Sequence, residues 1–559
     1  MALKLTDFIR NTTEALKPLH VAYTQAMWEA AISGTKEANE IEKSAQAELM
    51  RFWADEARYE QAKGFHEDGT ASDERTARLI KRIYLAAAKA QQDEVSIGKI
   101  TQLEAEIRDQ YYNFRGQVDG AALSDNELDD IIQKSRDGER VQKAWEASKQ
   151  IGLLVADQVR ELSSVRNAAA QAQGYRDHFE RSLTLSEIDE GELFTIFDEL
   201  EQVTREHFTN YKDELDEQLA RKFNIGAQEL RPWHYGDRFF QSVPDSEELD
   251  MDNLFAGKDP VDLVVKTYDG MGLEVRDIIL RSDLYPRDGK NQHAFCLDLD
   301  REGDIRTLNN IEPNLRWTKT LLHELGHAAY DKYLDRELPW ILRTPPHTLS
   351  TEAIAIMMGG LTSDEIWLRD VLQVPGSLVD DLVQISKRRD RAAGLIFTRW
   401  VLVMTNFERI MYADPDADLD TIWWDLVEKY QLITRPDGRH APDWAAKYHI
   451  PLAPVNYQNY ELGMLVKAQF ETELAREFGG IVGVESAGHW LVETVFRSGN
   501  LEDWSKHIET VTGEKLNPRY FVESIALLII FWVCQRSWSG PACVIDISGS
   551  PTSTVGGST

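Results

Sequence analysis

The chain has 559 residues, and its 94 acidic and 62 basic side chains give a formal net charge of −32. A surface this acidic repels nucleic-acid phosphates and anionic lipids, so we expect no nucleic-acid partner and no membrane-surface binding. Three cysteines are too few for a disulfide framework, so we expect a fold that is stable without disulfide bonds. The longest apolar run, 525–534, is about half of the roughly 20 residues that cross a bilayer, so we expect no transmembrane segment.

Residues 1–230 are rich in good helix formers and contain a single proline, Pro18. Segments such as 141–162, VQKAWEASKQIGLLVADQVREL, place apolar residues three and four positions apart, which is the period of an amphipathic helix. The pattern therefore predicts long antiparallel helices in this half of the chain.

From residue 231 onward, prolines, glycines and tryptophans become more frequent, which predicts shorter helices. Residues 292–307 combine alternating apolar positions with the turn residues REGD, a pattern typical of a small β-hairpin. The Ser/Gly/Thr-rich end, 539–559, predicts a disordered tail. Since no linker divides the rest, we expect one domain, 1–538, with an N-terminal helical lobe (about 1–230) and a second lobe (about 231–538).

The stretch 321–330, LLHELGHAAY, contains two histidines four residues apart. On a helix, His323 and His327 lie on one face and can bind the same metal ion, and Glu324 lies close to it. This HExxH pattern is typical of zinc sites in which the glutamate is a general base, although it also occurs by chance. Gly326 inside the helix costs about 1 kcal/mol relative to alanine, which indicates close packing or binding at this backbone.

A catalytic zinc ion needs a third protein ligand and one open position. Glu352, in the segment TLSTEAIAIMMGG (348–360), is the candidate, near the start of a second helix with Thr348 or Ser350 as its N-cap. By itself, a first-turn glutamate is explained by the helix dipole, but the HExxH motif upstream favours the ligand interpretation. One zinc ion bound by two histidines and a glutamate acidifies a water molecule, and Glu324 can transfer its proton to a leaving amine. This is the chemistry of peptide-bond hydrolysis.

Further segments, read together with this motif, resemble the angiotensin-converting enzyme (peptidyl-dipeptidase A) family, as a bacterial-type single-domain member. They are GDRFFQS (236–242), QHAFCLDLD (292–300), WWDLVEKYQ (423–431), AAKYHIPLAPVNYQNY (445–460) and EKLNPRYF (514–521). The resemblance implies a mainly α, two-lobed metallopeptidase with a deep central cleft and a small β-hairpin near the active site. It also implies one zinc ion per chain and the release of dipeptides from oligopeptides with a free C-terminus.

The resemblance also suggests roles for residues outside the motif. Gln241, Lys447 and Tyr457 correspond to residues that bind the C-terminal carboxylate of the substrate, which suits an ammonium and two neutral donors.

Four more positions correspond to residues that act on the substrate main chain. His293 and His449 would hydrogen-bond it, Ala294 would pair with it through its own main chain, and Tyr460 would donate to the developing oxyanion. Seen alone, each of these residues also fits an ordinary surface or core position.

The chain departs from the family pattern at several positions. It has one extra residue between Lys447 and Tyr457. Val427 and Asn459 replace two arginines of the family's chloride sites, so we expect no activation by chloride. Thr351 and Ile356 replace the histidine and the acidic residue that flank the third ligand in the family. Another group must therefore orient the ligand histidines.

Two other functions are compatible with the motif. One is a thimet-type zinc oligoendopeptidase, and the other is a helical binding protein without catalytic activity. The first 20 residues lack a secretory signal, so we expect a cytoplasmic protein. Export to the periplasm is the alternative if the start is processed or incomplete. We also expect a monomer.

Overall fold

Four short strands and a large set of α-helices make up the computed structural model, which describes residues 2–69, 71–244 and 251–525. The fold is mainly α, as predicted. The predicted tail, 539–559, lies outside the described residues. None of the helices in the described ranges combines the length and hydrophobicity needed to cross a bilayer.

The helices are α1 (Ala2–Ser33), α2 (Lys36–Trp53), α3 (Glu56–Glu67), α4 (Glu74–Ala90), α5 (Glu94–Asn113), α6 (Asp125–Lys134), α7 (Gly138–Ala172), α8 (His178–Leu185), α9 (Glu190–Phe223), α10 (Asp252–Phe255), α11 (Pro260–Gly270), α12 (Arg276–Arg281), α13 (Leu315–Lys332), α14 (Thr348–Gly360), α15 (Gly376–Ala413), α16 (Leu419–Gln431), α17 (His449–Leu452), α18 (Tyr457–Phe478), α19 (Glu485–Trp490) and α20 (Trp504–Thr512). The strands are β1 (Gly116–Val118), β2 (Ala121–Leu123), β3 (Phe295–Asp298) and β4 (Ile305–Leu308).

Long helices dominate the N-terminal part, as the sequence predicts. The amphipathic segment 141–162 lies inside α7, which has 35 residues. Aspartates cap many of these helices; Asp137, for example, accepts hydrogen bonds from the main-chain N–H groups of Glu139 and Arg140. Such caps satisfy amide groups that have no partner within the helix, and they fix where each helix begins.

The two largest hydrophobic cores among the described residues stabilise the helices. The larger core collects residues from Leu103 to Ile525 and continues across position 230. The smaller core lies among α1, α2, α3 and α4 and is completed by Trp340, Ile341 and Leu342 from the second half of the chain. The division into lobes near residue 230 stays a prediction.

The predicted hairpin is confirmed. β3 and β4 pair antiparallel from Phe295 opposite Leu308 to Asp298 opposite Ile305, with the turn between them at 299–304. Both strands pack against α13, the helix that carries the HExxH motif. Residues 293 and 294 therefore immediately precede a strand that packs beside this helix.

Three helices cross at glycines around the motif. An ideal Cβ at Gly326 on α13 would lie 2.9 Å from the Cα of Ala355 on α14. An ideal Cβ at Gly463 on α18 would lie 3.6 Å from the Cβ of Glu352. The glycines let the backbones approach closely, which explains why Gly326 is accepted inside a helix despite its cost.

We predict that Gly326→Ala destabilises the protein and weakens zinc binding. The added methyl group would push α13 and α14 apart, and overpacking of this kind costs about 1–3 kcal/mol, more than the roughly 1 kcal/mol gained from helix propensity. Thermal unfolding and zinc content measure the two effects. Gly64→Ala on α3 is the matched control because no heavy atom lies within 4 Å of its ideal Cβ, and it should leave both quantities equal or slightly higher. If Gly326→Ala were as stable as the parent protein, the close approach of α13 and α14 would not require a glycine at this position.

Candidate active site

The three predicted metal ligands come together where α13 crosses α14. The Nε2 atom of His323 is 3.8 Å from Oε2 of Glu352, and the Nε2 atom of His327 is 3.7 Å from Oε1 of the same carboxylate. Donor atoms about 2.05 Å from a tetrahedral zinc ion are about 3.4 Å apart, so this spacing and this donor set suit zinc. Within the described ranges, no second group of three or more such side chains is placed to hold a metal ion.

Both histidines are neutral near pH 7. Burial, and then the charge of His323, lowers the pKa of His327 to about 3. Burial is also the main reason why the pKa of His323 is below its usual value. Neutral imidazoles present the lone pair that metal coordination requires, so neither histidine forms a true ion pair with Glu352.

Helix α14 orients both histidines through their remaining ring nitrogens. The hydroxyl Oγ1 of Thr351 lies 2.8 Å from Nδ1 of His327, and the main chain of Ala355 hydrogen-bonds to His323. With Nδ1 donating to Thr351, the Nε2 atom of His327 keeps its lone pair on the side of Glu352. A hydroxyl and a peptide group thus orient the two histidines, a role for which the sequence indicated no residue.

The start of α14 corrects one expectation. Thr348 and Ser350 were the predicted N-caps, but the helix begins at Thr348 and His347 caps it, its Nδ1 accepting a hydrogen bond from the N–H of Leu349 at 3.1 Å. A histidine can cap because burial keeps it neutral and lowers its pKa to about 4. Glu352 therefore lies beyond the first turn, where the helix dipole explains it less well.

Glu324 lies next to the metal ligands and is only 7% exposed. Burial, followed by repulsion from Glu352, raises the pKa of its carboxyl group to about 8. A cation held by Glu352 would reduce this shift, because it neutralises the neighbouring carboxylate. A carboxyl group with a pKa in this range can both accept and return a proton near neutral pH.

A buried cation marks the predicted carboxylate-binding residues. Lys447 is 6% exposed, and its Nζ donates to Oε1 of Gln241 at 2.7 Å. The same Nζ lies 5.2–5.6 Å from the ring centroids of Phe239, Trp400 and Tyr457. Burial lowers the pKa of Lys447 to about 8. The structure therefore brings Gln241, Lys447 and Tyr457 together around one partly desolvated ammonium group.

Two predicted catalytic side chains, His449 and Tyr460, contact Tyr457 in this pocket. The ring of His449 lies 5.0 Å from that of Tyr457, and its buried Nδ1 has no hydrogen-bond partner among the described residues. Tyr457 in turn lies 5.6 Å from Tyr460, which is 39% exposed. Burial, then the charges of Tyr448 and Glu352, raises the pKa of Tyr460, so its hydroxyl stays protonated and lies close to the third ligand.

The remaining two predicted residues lie at the hairpin. His293 is exposed, and its side chain forms no hydrogen bond or ion pair with another described residue. Ala294 is half-buried immediately before β3, beside α13. That their main chain binds an extended peptide stays a prediction, and their contacts do not join them to the Lys447 pocket.

The sequence analysis missed three residues of the site. Thr351 differs from the family pattern, but its position next to Glu352 indicates a place beside the metal ligands. Phe239 lies in the quoted segment GDRFFQS, where it resembles an ordinary core residue. Trp400 on α15 gave no signal, since it lies in the mostly apolar segment LIFTRWVLVM (395–404) of this helix.

Comparisons with known proteins agree with this geometry. The family profile described as "Angiotensin-converting enzyme" matches residues 2–213 and 284–523. The chain is 22% identical to an angiotensin-converting enzyme of Haematobia irritans exigua over 562 residues, which cover 91% of this chain and 90% of the relative. It is also 22% identical over 440 residues to an angiotensin-converting enzyme of Theromyzon tessulatum, with 71% of this chain and 70% of the relative covered.

A third relative, the angiotensin-converting enzyme-related protein of Drosophila melanogaster, is 23% identical over 252 residues, or 41% of this chain and 39% of its own length. The fold and the histidine–glutamate site define a zinc metallopeptidase. This chain belongs to the angiotensin-converting enzyme family.

We predict that Thr351→Val lowers zinc affinity by about 10- to 100-fold, because loss of a group that orients a ligand typically has this effect. Valine keeps the shape of threonine but leaves Nδ1–H of His327 without an acceptor. Competition with a chelator measures the affinity without relying on turnover. Thr351→Ser retains the hydroxyl and should stay within about threefold of the parent. Equal affinities for the valine and serine variants would contradict the role of the hydroxyl.

Proposed function

We propose that this protein is a peptidyl-dipeptidase, which releases dipeptides from the free C-terminus of oligopeptides. The observation that carries the proposal is the Lys447 ammonium, buried beside Gln241 and Tyr457 and connected through Tyr460 to the metal ligands. A cation at a set distance from the reacting centre fixes how many residues lie between the scissile bond and the terminal carboxylate.

The residues fit a metal-assisted hydrolysis. His323, His327 and Glu352 would hold the zinc ion, which when bound acidifies water and polarises a carbonyl group. Glu324 would take the proton of the attacking water and return it to the leaving amine. Its burial supports this role, since a carboxylate stripped of water is a stronger base.

Tyr460 and His449 would act on the substrate carbonyl and main chain. A tyrosine is protonated at neutral pH, and burial raises the pKa of Tyr460 further, so its hydroxyl can donate to the oxygen on which negative charge would develop. Burial, and then Lys447, lowers the pKa of His449 to about 4, so it is a neutral imidazole near pH 7. Its unpartnered Nδ1 favours a hydrogen bond to the peptide main chain.

The experiment that tests this function compares a decapeptide with its C-terminally amidated form. We expect mass spectrometry to show dipeptide release from the free acid and a loss of about a hundredfold in kcat/KM for the amide, because the amide leaves the Lys447 charge unpaired. Lys447→Met should lower activity on the free acid to about the level of the amide. The KM for the free acid should rise as pH increases through about 8, since Lys447 loses its proton there.

Two controls separate the alternatives. Glu324→Gln should keep its zinc and lose about a thousandfold in turnover, as expected for removal of a general base. Lys506→Met replaces a surface lysine of α20 and should change neither the cleavage rate of the free-acid peptide nor that of the amidated peptide. Equal cleavage of both peptides at internal bonds would instead identify an oligoendopeptidase. Zinc binding without cleavage of either peptide would identify an inactive binding protein.

Chloride should not stimulate this enzyme. Val427 and Asn459 are uncharged, and the neighbouring ammonium of Lys149 already donates to the carbonyl of Arg238 at 2.8 Å and faces the ring of Phe239 at 3.3 Å. We expect kcat/KM to change by less than about twofold when chloride replaces acetate at constant ionic strength. A several-fold rise in rate would contradict this prediction.

A further inference from the structure

The part of α13 that precedes the metal ligands carries positive charge in an otherwise acidic protein. Residues 314–320 read NLRWTKT, with two cations and no acid. At 100° per residue, Arg316, Thr320, His323 and His327 fall within about 60° of one another on the helix, and Lys319 lies at the edge of the same face. The metal-binding face of the helix therefore continues into a basic turn.

Both cations are exposed and close to the site. An ideal Cβ on Gly359 would lie 3.5 Å from both Cβ of His323 and Cγ of Lys319, so these two side chains are neighbours. The charge of Lys319 is also among the causes that lower the pKa of His323, after burial. The Arg316 guanidinium lies 5.6 Å from the ring centroid of Trp317. Neither cation forms an ion pair with another described residue.

Helix geometry sets the reach of these charges. With a rise of 1.5 Å per residue, Lys319 lies about 6 Å and Arg316 about 10 Å along α13 from His323. An extended peptide advances about 3.3 Å per residue, so these distances correspond to two or three residues from the bond at the metal.

We propose that Arg316 and Lys319 select substrates that carry an aspartate or glutamate within about three residues of the scissile bond. This inference rests on the proposed peptidase function and adds a substrate class to it. The net charge of −32 repels acidic peptides at long range, but charges farther than about 8 Å are largely screened at physiological ionic strength. Arg316 and Lys319, which lie within reach of the substrate side chains near the scissile bond, then determine the preference for acidic residues.

The experiment uses a neutral decapeptide and single glutamate or lysine replacements at the three positions before its cleavage site and the two positions after it. For the best position, we expect kcat/KM to be about tenfold higher with glutamate than with lysine, the size expected for two partly exposed charge pairs. Arg316→Gln/Lys319→Gln should remove the preference, and Arg316→Glu/Lys319→Glu should reverse it. The effect should decrease at high salt.

The control variant Arg221→Gln/Lys506→Gln removes the same charge from exposed positions on α9 and α20 and should keep the parent preference. If the neutral peptide is cleaved but glutamate brings no advantage at any position, this inference is overturned while the peptidase function stands. The same holds if the double glutamine variant keeps the preference. If the neutral peptide is not cleaved, the proposed function itself fails.

Discussion

The close crossing of α13 and α14 is the constraint on which the site depends. Gly326 removes the one Cβ that would collide with Ala355, and this lets Nε2 of His323 and His327 come within 3.8 Å of the Glu352 carboxylate. A wider separation would leave the glutamate too far away to share an ion with the histidines. The conformational cost of a glycine inside a helix is thus tied directly to coordination geometry.

The same crossing explains how the site works without an acidic partner for its histidines. Thr351, Glu352 and Ala355 lie within five consecutive residues of α14, so one helix would supply the third ligand and the groups that orient the other two. A hydroxyl and a peptide group polarise imidazole less than a carboxylate does. Glu352 would then be the only carboxylate among the groups that bind the ion or orient its ligands, which would leave a bound dication a stronger electrophile.

Local patterns in the sequence were sufficient for the helical class, the hairpin at 292–307 and the placement of His323 and His327 on one helix face, because spacing along a helix or strand fixes which side chains share a face. That Glu352 binds the same ion stays a prediction. The N-cap of α14 was mispredicted because propensity favours Thr348 or Ser350, whereas burial keeps His347 neutral and able to cap. The pocket of Phe239 and Trp400 around Lys447 joins segments more than 150 residues apart. No pattern in a single sequence reports such a contact.

The surroundings of Lys447 suit the proposed binding of a carboxylate by an acidic protein. Long-range attraction is absent at a net charge of −32, so affinity must come from a cation that is already partly stripped of water. Three aromatic rings and Gln241 hold the ammonium group in place, and burial lowers its pKa to about 8. Most of the desolvation of the Lys447 ammonium therefore occurs when the protein folds, not when a ligand binds. In the proposed function, a substrate carboxylate entering this pocket would lose its own hydration but gain a preorganised charge partner, and this would favour a free C-terminus over any neutral group of similar shape.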